Sequence, residues 1–168
     1  MSNLIHLTLF LTGLMLGCLV SRSTRLSVDL SIADDWLVRF CDYSLIYGKF
    51  LLLIYLLSFM RYGAIGVPPL FGLEGIMIGC KITSAFCFGG VHDLLAVLVL
   101  NVFHIVLILP YGFVLGAWTV DRCFDYTVKQ YSKNPMVLMV TLCVIVVSAL
   151  LQSVAGSALL RIMYNSGV

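Results

Sequence analysis

Charge is what this sequence has least of. Ten of its 168 residues are Lys or Arg and eight are Asp or Glu, together 11%. A soluble domain carries roughly 25% charged residues, so too little is present here to coat a surface facing water. That excludes an ordinary soluble globular domain. Basic runs are also missing and the formal net charge is only +2, which excludes a nucleic-acid-binding face. The six cysteines (Cys18, Cys41, Cys80, Cys87, Cys123 and Cys143) show neither CxxC nor His/Cys ligand spacing. Four of them sit in apolar segments, where Cys behaves as a small hydrophobe rather than as half of a disulfide or a metal ligand. No Gly-rich phosphate loop, HExxH pattern or recognisable Ser/His/Asp set is found. The chain therefore reads as non-enzymatic, with no catalytic residue, metal or cofactor assigned. We find no low-complexity segment, no domain boundary and no internal repeat.

What is abundant is apolar sequence. Hydrophobic residues make up 61% of the chain, and the mean hydropathy is +1.08. They fall in blocks long enough to cross a bilayer, which takes about 20 residues as a helix. The expected fold is all-α: a polytopic integral membrane helical bundle, one membrane domain over 1–168. Five transmembrane helices are expected at 4–20, 45–61, 70–88, 94–120 and 136–160, plus a short interfacial helix.

Span one has no Lys or Arg before it, unlike a secretory signal peptide, and Met15-Leu16-Gly17-Cys18 only loosely resembles a lipobox. It is read as a retained helix. In the first polar connection, Ser31 is followed three residues later by Asp34, with Asp35 beside it, a capping-box-like start. Ile32, Trp36, Phe40, Tyr43 and Tyr47 then recur at i+3/i+4 spacing. An aromatic face of this kind suits the headgroup region, so a helix lying at the interface is expected to run into span two. The alternative is an amphipathic helix packed on the bundle. Gly63, Gly66, Pro68 and Pro69 predict a turn before span three. Pro110, inside span four, predicts a kink or a broken hydrogen-bond ladder. Tyr126 and Tyr131 in the second polar connection suit an interface. With the N-terminus inside, the basic residues divide four inside against five outside, so charge alone gives no orientation.

Three small-residue motifs recur: Gly13-xxx-Gly17, Gly75-xxx-Gly79 and Gly112-xxx-Gly116. Gly at i and i+4 lets two helix backbones approach closely in a bilayer. The glycines serve packing within this bundle, or one motif docks a partner's transmembrane helix. Glu74 and Lys81 lie seven residues apart, on nearly the same face of span three. Charges in hydrocarbon usually face the bundle interior or a cavity. The pair is read either as an ion or substrate path or as a polar clamp to another helix. Asn101 and His104, at i and i+3 in span four, can hydrogen-bond across helices, with a carbonyl freed by Pro110 nearby. Gln152 and Ser153 are candidate partners.

The middle of the chain resembles the core of the stage II sporulation protein M family. Residues 49–79, KFLLLIYLLSFMRYGAIGVPPLFGLEGIMIG, show a Leu/Ile-rich run at Leu51 to Leu57, a Gly-x-Pro turn at Gly66 and Pro68, and spaced glycines at Gly75 and Gly79. Gly89-Gly90 then precedes a span with a polar residue and a proline, His104 and Pro110. Leu9 to Val20, LFLTGLMLGCLV, is similar to the family's first span. In place of the Pro that often precedes the polar residue of span four, this chain has Val102 and Phe103.

The resemblance implies a five-span scaffold in the plasma membrane of a spore-forming bacterium, without chemistry of its own. Its implied role is to localise cell-wall-remodelling partners, membrane-anchored cell-wall hydrolases, at the septum during engulfment. The lipid bilayer and a second copy of the chain, as a homo-oligomer, complete the expected partners. The alternative is a small permease or the substrate-binding subunit of a vitamin or ion transporter. That reading requires Glu74, Lys81, Asn101 and His104 to line one cavity.

Overall fold

The computed structural model describes residues 2–21, 36–60, 62–124, 135–156 and 158. Within them the regular structure is all helical. The helices are α1 (Ser2–Ser21), α2 (Trp36–Leu57), α3 (Gly63–Ser84), α4 (Gly90–Phe103), α5 (Leu109–Phe124) and α6 (Pro135–Leu151). Three five-residue π-helical segments, Ala85–Gly89, His104–Ile108 and Gln152–Gly156, extend α3, join α4 to α5 and extend α6. Five helical stretches are long and apolar enough to cross a membrane: Asn3–Ser21, Trp36–Leu57, Gly63–Phe88, Gly90–Phe124 and Pro135–Gly156. Large apolar side chains such as Leu4, Met15, Leu56, Val114 and Met139 face outward, as they should on a bundle whose solvent is lipid. The protein is a helical membrane protein.

Several boundaries differ from those expected. The helix of span two starts at Trp36, not Leu45, and Trp36 to Ser44 run into it without a break, as the aromatic spacing predicts. The aromatic spacing explains this: Phe40 and Tyr43 continue the face on which Tyr47, Phe50, Leu51 and Ile54 are buried, so one helix serves both. Ile32 and the Ser31, Asp34 and Asp35 cap lie outside the described residues, as do Tyr126 and Tyr131.

Span three starts at Gly63, with Pro68 and Pro69 inside it. The turn lies earlier, over 58–60 and 62. It is closed by i to i+3 bonds, including Ser58 N to Tyr55 O (3.1 Å), Met60 N to Leu57 O (3.0 Å) and Gly63 N to Met60 O (3.0 Å). Proline φ is helical, and the N–H groups lost at Pro68 and Pro69 leave unbonded carbonyls only near the start of the helix. Gly63 is needed here because a Cβ would overlap the Leu57 carbonyl. Between α3 and α4 the chain reverses at Gly90, whose φ of 76° is the positive value among the described residues. Before Pro110 the ladder shifts to i to i+5 over His104–Ile108. That wider turn lies where the proline ring would press on the preceding carbonyls.

The most extensive helix contact is between α1 and α3. The two run parallel and exchange glycines. A Cβ on Gly13 would overlap the Gly72 carbonyl, and one on Gly75 the Phe10 carbonyl. Likewise Gly17 abuts the Ile76 carbonyl and Gly79 the Leu14 carbonyl. Cys18 Sγ faces Gly79 O at 3.7 Å, and Cys80 Sγ faces Gly17 O at 3.4 Å. Each contact maps onto its reciprocal by the same sequence shift, which carries Gly13-Leu-Met-Leu-Gly-Cys18 onto Gly75-Ile-Met-Ile-Gly-Cys80. The expectation of no internal repeat is therefore corrected: α1 and α3 carry one six-residue repeat, packed on itself about a local pseudo-two-fold axis. Ser21 closes the pair, donating to Cys80 O at 3.1 Å and sharing a hydrogen bond with Ser84 at 2.6 Å.

The remaining helices close around an aromatic core. Phe71 stacks on Phe113 (4.7 Å between centroids) and on His6 (4.9 Å), and meets Phe50 edge-on at 5.4 Å. Tyr111 joins Thr141 at 2.9 Å, tying α5 to α6. Gln152 Nε2 donates to Val99 O at 3.2 Å, tying the end of α6 to α4.

Candidate membrane-embedded site

The six motif glycines do two kinds of work. Gly13, Gly17, Gly75 and Gly79 are consumed in the α1–α3 contact and present no face to another chain. Gly112 and Gly116 seat rings rather than a backbone. A Cβ at Gly112 would lie 2.8 Å from the Phe50 ring, and one at Gly116 3.0 Å from the Phe71 ring and 3.3 Å from His6. These two glycines let α5 lie against the aromatic core.

Phe50 and Phe71 in turn form part of the support for a polar site above them. Glu74 lies one turn beyond Phe71 on α3 and is buried. His104, first residue of the π-helical segment joining α4 to α5, is buried opposite it. Glu74 Oε1 approaches His104 Nε2 to 2.8 Å. The oxygen lies off the ring N–H direction, so Nε2 has no directed hydrogen bond; the contact is a close charge–dipole or ion pair. The Tyr47 ring leans on His104 at 5.3 Å, and its buried hydroxyl has no hydrogen-bond partner. The pair joins the middle of α3 to the middle of the α4–α5 rod. Glu74 stands eleven residues past Gly63, about 17 Å from the α2–α3 turn, near the midplane of a hydrocarbon layer roughly 30 Å thick.

Glu74 and His104 form the floor of a cavity of about 530 Å³ between α2, α3 and α4. Lys81 and Asn101 line it too, so the four residues expected to share a cavity do so. They are not equivalent. Asn101 Nδ2 donates to Val97 O of its own helix at 2.7 Å and clamps nothing across helices. Lys81 is exposed at the rim, and among the described residues it has no ion pair with Glu74. Gln152 bonds the Val99 carbonyl, not Asn101 or His104. Ser153 Oγ donates to Leu150 O of its own helix. Pro110 lies away from the cavity, on an apolar groove between α5 and α6.

Two polar lining residues, Tyr47 and Lys49, are not among the site residues expected from sequence, where Tyr47 appears only in the aromatic face. Lys49 falls four residues past the expected start of span two at Leu45. Its signal was present: a Lys flanked by apolar residues on both sides, in YGKFLLLIYLL. It is exposed at the rim, eight residues before Leu57 and so about 12 Å from the turn.

Among the described residues no cluster of His, Cys, Asp or Glu could hold a metal ion. The Glu74–His104 pair can orient a polar group in an apolar setting, or lock helices together. Compared with protein-family models, with curated proteins and with solved structures, the chain finds no match.

Proposed function

We propose that this chain is a non-enzymatic membrane subunit similar to the stage II sporulation protein M family. On this reading it sits in the plasma membrane of a spore-forming bacterium and localises cell-wall-remodelling partners at the septum during engulfment. One observation supports the reading: residues of the resemblance lie at helix contacts of a single unit, although its Gly-x-Pro turn, Gly66 and Pro68, falls inside α3. Gly66 rests against Leu57, Gly75 and Gly79 seat the first span, and His104 marks the π-helical break before Pro110. The glycine faces being occupied within the chain, partners would meet outward faces. The outer face of α1, with Met15, Leu16 and Leu19 exposed, is the surface left by the α1–α3 pairing.

The test is co-purification from sporulating cells in mild detergent. A membrane-anchored cell-wall hydrolase is expected with the wild-type chain, and less of it with Leu16→Trp/Leu19→Trp. Recovery of folded chain with no such hydrolase would sink the proposal.

A second reading, a small permease or a transporter's substrate-binding subunit, is favoured by Glu74, Lys81, Asn101 and His104 sharing one cavity. It expects solute uptake in proteoliposomes that Lys81→Ala abolishes. Absence of uptake across a vitamin and ion panel would reject it.

A further inference from the structure

We infer that the cavity between α2, α3 and α4 is a binding site for an anionic amphiphile, its oxyanion held by Lys81 and an acyl chain laid along the apolar wall.

The inference starts from charge. Two lysines line the cavity against one carboxylate, Glu74. Leaving His104 aside, the site carries one more positive than negative charge. No described carboxylate forms an ion pair with either lysine; Glu74 is engaged by His104 instead. Unpaired cations at a hydrocarbon-facing surface are expensive. Glu74 shares the cavity with Lys49 and offsets one cation at longer range. Lys81 is left over. It stands nine residues before Gly90, about 13 Å from that end of the helix, close enough for its ammonium to reach toward the interface.

The second observation is shape. The cavity opens through the flank of the bundle: Ile46, Leu53, Leu73 and Met77 line it and are exposed. The mouth therefore faces lipid, and its wall is apolar. A volume of about 530 Å³ falls within the roughly 300–1,000 Å³ of small-molecule sites. A hydrophilic solute would meet an apolar mouth. A neutral lipid would leave the charge unanswered. The oxyanion chemistry is shared by a free fatty carboxylate and a phospholipid phosphate.

The experiment uses the full chain in neutral detergent and in nanodiscs. Oleate is expected to raise the thermal unfolding midpoint, and oleyl alcohol, with the same chain and no charge, is not. Lys81→Gln should weaken oleate about tenfold, as loss of a charge-assisted contact does, and Lys49→Gln should weaken it less. Leu73→Trp, at the rim, should block the chain while leaving Lys81 in place, and covers the case in which Lys81→Gln folds poorly. Native mass spectrometry from phosphatidylglycerol and phosphatidylcholine nanodiscs separates the sources. Retained phosphatidylglycerol identifies a phospholipid, whereas oleate binding without it identifies a free fatty acid. Equal stabilisation by oleyl alcohol, undiminished oleate binding by folded Lys81→Gln, or no shift with any probe would overturn the inference. Because hydrolase co-purification is read separately, a Lys81→Gln chain that loses oleate but keeps its partner leaves the scaffold proposal standing.

Discussion

The α1 and α3 helices carry the same six-residue phrase and use it in the same way, yet only α3 carries charge. Where α3 has Glu74 and Lys81, the repeat places Thr12 and Leu19 on α1. Thr12 is exposed and bonds its own Leu9 carbonyl at 3.0 Å, and Leu19 is exposed to lipid. The two helices have one packing face in common and different outer faces. The difference teaches that the glycines govern association while the added polar residues follow the environment. On α3 the outer face meets α2 and α4 and encloses a cavity; on α1 the corresponding face is open.

Four sets of substitutions break or sharpen that comparison. The largest effect is expected at the shared face. Gly13→Ile and Gly75→Ile each drive a side chain into backbone, where no rotamer can move aside. Each should cost about 3 kcal/mol or more, the upper range of overpacking, and to a similar extent in both helices. Unfolding in detergent, followed by circular dichroism, checks this. Tolerance at Gly13 with collapse at Gly75 would break the pseudo-symmetry.

Glu74 comes next. Glu74→Leu leaves His104 buried without its carboxylate and should cost about 2–4 kcal/mol, whereas Glu74→Leu/His104→Leu should recover most of the loss. Thr12→Leu, at the matching place on α1, should change stability by less than about 0.5 kcal/mol. A double-mutant cycle measures the coupling, and a value near zero would show that the 2.8 Å contact is incidental.

Lys81→Leu removes a cation from a lipid-facing side chain and should leave stability unchanged or raise it by up to about 2.5 kcal/mol; a large loss would mean that Lys81 anchors the fold. The smallest effects belong to the thiols. Cys18→Ala and Cys80→Ala each remove a weak S–H donor, and each should cost about 0.5 kcal/mol or less. Unequal losses in the same unfolding assay would show that the reciprocal thiol contacts differ in strength.

Much of this was legible in sequence, for reasons that differ by residue. The five spans follow from apolar blocks, since lipid tolerates only helices whose backbone bonds are internal. Glu74, Lys81, Asn101 and His104 stood out because polar groups in such blocks are rare. Their inequality did not. Asn101 turns to its own Val97 carbonyl, a choice between bonding partners that one-dimensional spacing does not express. Pro68 and Pro69 were read as a turn because proline usually stops a helix, yet near a helix start the lost N–H groups cost little. The repeat was missed because six residues in apolar sequence carry little information until the two copies are seen facing each other.

Composition and block length alone determined that this chain is a five-helix membrane protein with charges inside it, because hydrocarbon penalises exposed backbone and charge wherever they stand in the chain. Tertiary structure alone decided which helices the glycines join. It paired Glu74 with His104 and opened the cavity toward lipid. Those outcomes depend on which faces meet in space, and α1 and α3 show that one phrase of sequence serves an open face and an enclosed one equally well.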